Sequence, residues 1–304
     1  MRYLTLVLFL LLYFAAGAQS PVDKKKDDTL LKRSDLKEVA VSAKKAPLPE
    51  KQQISLRAPA KVKIDGNAKD WSNNFHAYNH STDIFYLIAN DDDNLYLVVQ
   101  AIDQTAINRI VGGGITFTVQ PSINENDKDA ASITYPYYQI TKGNVGANFQ
   151  LLIPKDTTMK DARTMRDNHN RQLGQSCKLI RITGIAGFDT LTSVYNNKGI
   201  LAVGMFDLQE RYTLELRVPL KSLSLSANDQ TQFAYHIKLN GGNPYGPDYI
   251  PEYSGPHILK MPPIVPGAQT YDPTPKAPNT GKRVGAVVST PTDFWAEYTL
   301  AKAP

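Results

Sequence analysis

From Ile84 onward the chain repeats with a period of two, and that period dictates strands. Ile84-Phe85-Tyr86-Leu87-Ile88-Ala89 is followed by the polar cluster Asn90-Asp91-Asp92-Asp93-Asn94, then by Leu95-Tyr96-Leu97-Val98-Val99-Gln100-Ala101-Ile102. Apolar β-formers on both sides of a turn-rich cluster predict a hairpin. After Gly112-Gly113-Gly114, Ile115-Thr116-Phe117-Thr118-Val119 alternates strictly. Further strands are expected at 148–153, 178–186, 189–195, 199–206, 211–218, 231–239 and 293–300, with a turn at Asn196-Asn197-Lys198-Gly199. Helical pattern is confined to 103–110 and a polar stretch at 157–173. Short strands at roughly 8–12-residue spacing with few helices predict an all-β fold, an antiparallel β-sandwich. Within 211–218, Tyr212, Leu214, Leu216 and Val218 fall on one face and Thr213, Glu215 and Arg217 on the other; Pro219 ends the run because it has no N–H for the ladder.

The N-terminus reads as an export signal. Arg2 precedes the apolar run Leu4 to Phe14, and Ala16-Gly17-Ala18 puts small residues at −3 and −1, so residues 1–18 are expected to be cleaved before Gln19. That run is too short to span a bilayer, and no transmembrane segment is expected after cleavage. Cys177 is the only cysteine, so internal disulfides are excluded and stability must come from a conventional core. Residues 19–63 hold 12 Lys/Arg against 6 Asp/Glu; with Arg2 set aside, the chain from Ile64 onward is net −2 within a total of +5. Basic character therefore belongs to the N-terminal stretch, which argues against nucleic acid as a partner of the folded body. Residues 19–58, charged, poor in aromatics and broken by Pro47-Leu48-Pro49, read as a disordered basic linker, with the folded domain at 59–304. Residues 251–291 are rich in Pro and read as a long surface crossing.

Ile64-Asp65-Gly66-Asn67-Ala68-Lys69-Asp70-Trp71 joins three signals. Lys61-Val62-Lys63-Ile64 alternates as a short strand; Asp65-Gly66 turns the chain. Asp70 then reads as the cap of a helical turn that folds the Trp71 indole back onto apolar surface. This block resembles the opening motif of family 9 carbohydrate-binding modules and the wider DOMON-like group. Asp91-Asp92-Asp93-Asn94-Leu95-Tyr96-Leu97 is similar to the acidic turn and strand that follow it, and Tyr212 to Leu220 resembles the late Tyr-x-x-Glu-x-x-Ile-Pro strand. Phe294 to Leu300 looks like the closing strand. The matches run in order from residue 62 to 300, and the whole is similar to exported proteins of the Bacteroidetes. Leu36-Lys37-Glu38-Val39-Ala40-Val41-Ser42-Ala43 is also similar to a segment near the start of outer-membrane receptors, which makes residues 34–45 a candidate partner-binding strand beside the plainer reading as linker.

The resemblance implies an immunoglobulin- or jelly-roll-like sandwich that binds a polysaccharide or oligosaccharide without catalysis, in the periplasm, at the cell surface or in the medium. Trp71 and Trp295 both lie inside the motifs and are expected as buried core indoles, so tyrosines are the candidate stacking surfaces. Tyr135, Tyr137 and Tyr138, and the loop residues Asn240, Asn243, Tyr245, Tyr249 and Tyr253, make up that candidate site. Calcium-binding relatives make Asp91, Asp92 and Asp93 candidate ligands, although EF-hand spacing is missing and a solvated acidic turn serves equally. No other cofactor is expected. Two alternatives stay open: an envelope scaffold that keeps the sandwich without a sugar site, and a haem-binding module using Met205 and His236, where core packing accounts more simply for Met205. There is no Gly-x-Ser-x-Gly elbow, P-loop or dinucleotide fingerprint, the five His show no zinc spacing, and Glu215 has no evident carboxylate partner.

Overall fold

The computed structural model describes residues 30–32, 47–121, 130–138, 156–228, 231–241 and 290–302. The signal segment, residues 34–45, the strand expected at 148–153 and the crossing at 251–289 lie outside them. The strands are β1 (Leu30–Lys32), β2 (Ala77–Asn79), β3 (Ile84–Asn90), β4 (Asn94–Ala101), β5 (Ile115–Gln120), β6 (Ala131–Tyr137), β7 (Asp156–Thr158), β8 (Leu179–Thr183), β9 (Leu191–Ser193), β10 (Leu201–Phe206), β11 (Tyr212–Pro219), β12 (Gln232–Leu239) and β13 (Thr292–Thr299). The helices are α1 (Gln104–Gly113) and α2 (Met159–Ser176).

Two antiparallel sheets stack as an all-β sandwich. One has the order β10-β11-β4-β3-β2 and the other β13-β12-β5-β6-β8-β9, while β1 and β7 form a separate pair. Strand parity builds the core between them. Tyr86, Leu97, Leu214 and Leu216 from the first sheet meet Phe117, Ile133, Tyr235 and Phe294 from the second. The hydroxyls of Tyr86 and Tyr235 hydrogen-bond across the layer at 2.9 Å, so two buried phenols satisfy one another. Asp103 caps α1 by accepting from the N–H groups of Thr105 and Ala106, and Gly114 at φ 82 turns the chain into β5.

Four expectations are corrected. Residues 47–58, assigned by composition to the linker, lie against the fold: Gln52 is buried, donates to the Ile88 carbonyl and accepts from the Ile88 N–H, both at 2.8 Å. Lys61–Ile64 forms no ladder strand. The cap of the 3-10 turn Ala68–Trp71 is Asn67, which accepts from the Lys69 N–H; Asp70 instead accepts from the Lys63 N–H. Finally, β6 is a strand where none was expected, although Ser132-Ile133-Thr134-Tyr135 alternates.

Side-chain amides finish both edges of the five-stranded sheet. β2 is short and leaves Ile88 of β3 unpaired on that side, where Gln52 supplies the missing donor and acceptor. At the opposite edge Asn170 of α2 does the same for β10. Its Nδ2 donates to the Phe206 carbonyl at 2.9 Å and its Oδ1 accepts from the Phe206 N–H at 2.7 Å. Bare strand edges invite pairing with other chains, and these two amides close the gaps.

Candidate functional site

The two outer faces of the sandwich differ. Outside the five-stranded sheet, Trp71 packs with Leu87, Ala89, Tyr96 and Val98 beneath Leu56, Val62, Ile64 and Phe75, forming a second small core. At its centre is Glu215 of β11, fully buried. One carboxylate oxygen accepts from the backbone N–H groups of Asp65, Gly66 and Asn67, and the other accepts from the Trp71 indole N–H at 2.8 Å. Burial raises the Glu215 pKa above its usual value, although the indole and the three N–H groups pull it down. The partners of Glu215 are therefore N–H donors of the 64–71 turn, not a second carboxylate.

Asp91 is committed in the same way. It accepts from the N–H groups of Asp93 and Asn94 and from the Tyr96 hydroxyl. Burial alone would push its carboxyl up, but these hydrogen bonds win and hold it below the usual carboxylate range. Asp92 pairs with Arg57, and the Asp93 carbonyl accepts from the Leu220 N–H. Only the Asp91 side chain holds the turn itself, and among the described residues no cluster of His, Cys, Asp and Glu could hold a metal ion.

The outer face of the six-stranded sheet is polar. Ladder register aligns Trp295, His236, Thr118, Ser132 and Thr183 in one row across β13, β12, β5, β6 and β8. Asp293, Lys238, Thr116, Thr134 and Arg181 form the adjacent row. Hydroxyls pair across the strands, Thr118 with Ser132 and Thr116 with Thr134, each at 2.8 Å. Asn240 donates to Thr116 at 3.0 Å and to the Gly113 carbonyl at 2.9 Å, which fixes its amide at the end of the rows. The side chains of both rows other than Trp295 and Asp293, together with Asn240, line a groove of about 340 Å³, within the small-ligand range of ~300–1,000 Å³. Thr118 and Thr134 lie at its floor, 9% and 6% exposed.

Trp295 stacks on His236, with ring centroids 4.4 Å apart and planes 8° apart. It is partly exposed on the outer face, which corrects its expected place in the core. The parity of β13 carries the signal: Phe294, Ala296 and Tyr298 point inward, so Trp295 points out. Burial lowers the His236 pKa, while the Asp293 carboxylate, 3.6 Å from Nε2, pulls it up. The imidazole is therefore neutral at neutral pH, able to donate from one nitrogen and accept at the other.

No model of a known protein family matches the chain, and no curated protein does. The likeness to carbohydrate-binding modules therefore rests on the motifs alone. Among their residues, Trp71, Asp91 and Glu215 all serve the fold.

Of the sequence-predicted binding residues that the structure describes, Asn240 alone lines the groove. Tyr135 lies in the core, and Tyr138 packs against it, which corrects both as exposed stacking surfaces. Tyr137 is half-buried at the end of β6. Asn243, Tyr245, Tyr249 and Tyr253 lie outside the described residues. Met205 is 36% exposed on β10, against Gly66 on the outer face of the other sheet, which corrects its place in the core. His236 lies on the opposite outer face, so the two cannot ligate one haem. Sequence reasoning missed the two polar rows because each contributes only one or two residues per strand. The Thr, Ser, His and Lys at outward positions of β5, β6 and β12 were the available signal. No helix among the described residues is long and apolar enough to cross a membrane.

Proposed function

We propose that this protein binds a saccharide, without catalysing its turnover, in the groove on the outer face of the six-stranded sheet. The observation that carries the reading is the pair of polar rows along the groove floor. Paired Thr and Ser hydroxyls, the Asn240 amide and neutral His236 each offer a donor or an acceptor, and a saccharide presents both on every ring. Among the described residues, the groove lining includes no carboxylate pair that could act as acid and base. The export pattern of residues 1–18 and the motif resemblance support a location at the bacterial envelope or beyond it.

Calorimetry of the mature chain against a panel of oligosaccharides tests the proposal. A saturable heat that disappears in His236→Ala and survives in Met205→Ala, on the other face, is the expected result. Absence of binding across the panel would overturn it.

One observation favours a second reading, an envelope scaffold. Trp71 and Glu215, from two of the family-like motifs, are used in holding the 64–71 turn to β11. Under that reading the groove is only a solvated sheet face, and His236→Ala changes no interaction.

A further inference from the structure

We propose that the free edge of β13 docks an extended segment of another protein, one that alternates apolar and basic residues and adds to the sheet as an antiparallel strand. Parity defines the edge. The Asp293 carbonyl accepts from the Ser81 hydroxyl at 3.2 Å and the Thr299 carbonyl from the Ser55 hydroxyl at 2.6 Å, both on the side away from β12. The Leu300 N–H, one residue on, turns the other way and donates to Thr231 at the start of β12. Backbone direction alternates along a strand, so the N–H and C=O groups of Trp295 and Glu297 also point away from β12. Among the described residues nothing hydrogen-bonds to those four groups. Gln52 and Asn170 complete the edges of the five-stranded sheet. Here two serine hydroxyls close the ends of the edge and leave its middle open, and an open edge is a template for an added strand.

A second observation lies beside the gap. The Leu56 N–H donates to the Tyr298 hydroxyl at 2.9 Å, so residues 54–56 run along the inner side of this edge. Ile54 is 52% exposed there, one of three large apolar side chains left exposed among the described residues. An added strand sends alternate side chains inward, toward Ile54, and the others onto the outer face beside Trp295 and Glu297. Charge selects those outer residues. Glu297 is exposed, and its partner is the neutral Gln232 amide at 2.9 Å. Asp293 faces Lys238 across the ladder and lies 3.6 Å from His236, so Glu297 is the carboxylate that sets the preference. A Lys or Arg opposite Glu297 makes a favourable cross-strand pair, whereas a second copy brings its own Asp293 and Glu297 to the seam. Backbone bonds then supply affinity, and the two faces of the guest strand supply specificity.

The test uses the full mature chain and the fluorescence anisotropy of a capped seven-residue peptide alternating Val and Lys. Saturable binding is expected. It should be at least about tenfold weaker for the Val/Glu analogue and for the Val/Lys peptide N-methylated at each Lys, which loses the donors that face the edge. Glu297→Gln should erase the preference for Lys over Glu. Glu297→Pro deletes one outward N–H and no bond to β12, so it should weaken binding by about tenfold at unchanged thermal melting. Ile54→Ser should weaken binding, and Met205→Ser, on the other sheet, should not. If Glu297→Pro lowers the melting temperature, the N-methylated peptide decides in its place. Undiminished binding of the N-methylated peptide would overturn strand addition, and equal binding of the Val/Glu peptide would overturn the basic assignment. A dimer seen in sedimentation and lost in Glu297→Pro would overturn the foreign partner in favour of a second copy. Absence of binding by every peptide would overturn the proposal outright.

Discussion

The indole N–H of Trp71 donates to the Glu215 carboxylate at 2.8 Å across 144 positions of sequence. The contact joins the first family-like motif to the third, and the same carboxylate gathers three backbone N–H groups of the 65–67 turn. Glu215→Ala would strand all four donors in a buried site, each at a cost of about 1–3 kcal/mol before relaxation. A total loss of about 3–5 kcal/mol is expected, read from the urea midpoint. Trp71→Phe removes one bond and keeps most of the packing, for about 1–2 kcal/mol. The double variant should lose less than the sum, because each single change already breaks the shared bond.

Acid and alkali act on two carboxyls in opposite directions. Glu215 has a raised pKa in the folded protein, so its protonated form is favoured there. That stabilisation is fully present below the unfolded value of about 4.3 and is lost as pH rises through the folded one. Asp91 has a lowered pKa. Its contribution is present above the unfolded value of about 3.9 and is lost as pH falls through the folded one. Unfolding midpoints measured from pH 2.5 to 7 should therefore lose part of their rise with pH in Asp91→Asn. In Glu215→Gln they should lose part of the fall above pH 4.3, whatever its absolute stability.

The sandwich was legible because both sheets alternate cleanly. β3, β4, β5, β11, β12 and β13 fall where the period of two puts them, and Tyr212, Leu214, Leu216 and Val218 face the core as parity requires. What alternation cannot report is a side chain bonded to a distant backbone. Glu215 looked isolated because its partners are N–H groups, which leave no residue signature. Gln52 escaped notice for the same reason, since its amide stands in for a strand within a charged, Pro-broken segment. Trp295 shows the opposite fault. Its outward position could be read from its neighbours, but residue type outweighed parity and sent it to the core. The groove was hidden because it is assembled from four strands, each with an unremarkable Thr, Ser, Lys or Arg.

The two edge amides give a solubility prediction. Gln52→Ala and Asn170→Ala each remove a donor and an acceptor that complete a strand edge, and about 1–3 kcal/mol of stability should go with each. Gln52 is buried, so its loss should be the larger. Each change also bares a backbone N–H and carbonyl on a sheet edge. Light scattering of the double variant at high protein concentration should show self-association that the parent lacks. Stability loss without association would mean that α2 and residues 47–58 still shield the edges sterically.

The stack of Trp295 on His236 makes the last prediction, because the indole is part of what keeps the imidazole dry. NMR titration should place His236 below the usual 6.5, burial being the larger influence and Asp293 the opposing one. Its stabilising contribution is present above 6.5 and is lost as pH falls through the folded value. Trp295→Ala admits water to one ring face and should move the titration upward, with the Asp293 attraction then dominant. Trp295→Phe keeps a ring in place and should leave the titration near the parent value. If His236 also contacts the saccharide, Trp295→Ala should weaken binding and Trp295→Phe largely preserve it. The pH dependence of affinity should follow the shifted His236 titration, a coupling that a purely structural stack would not produce.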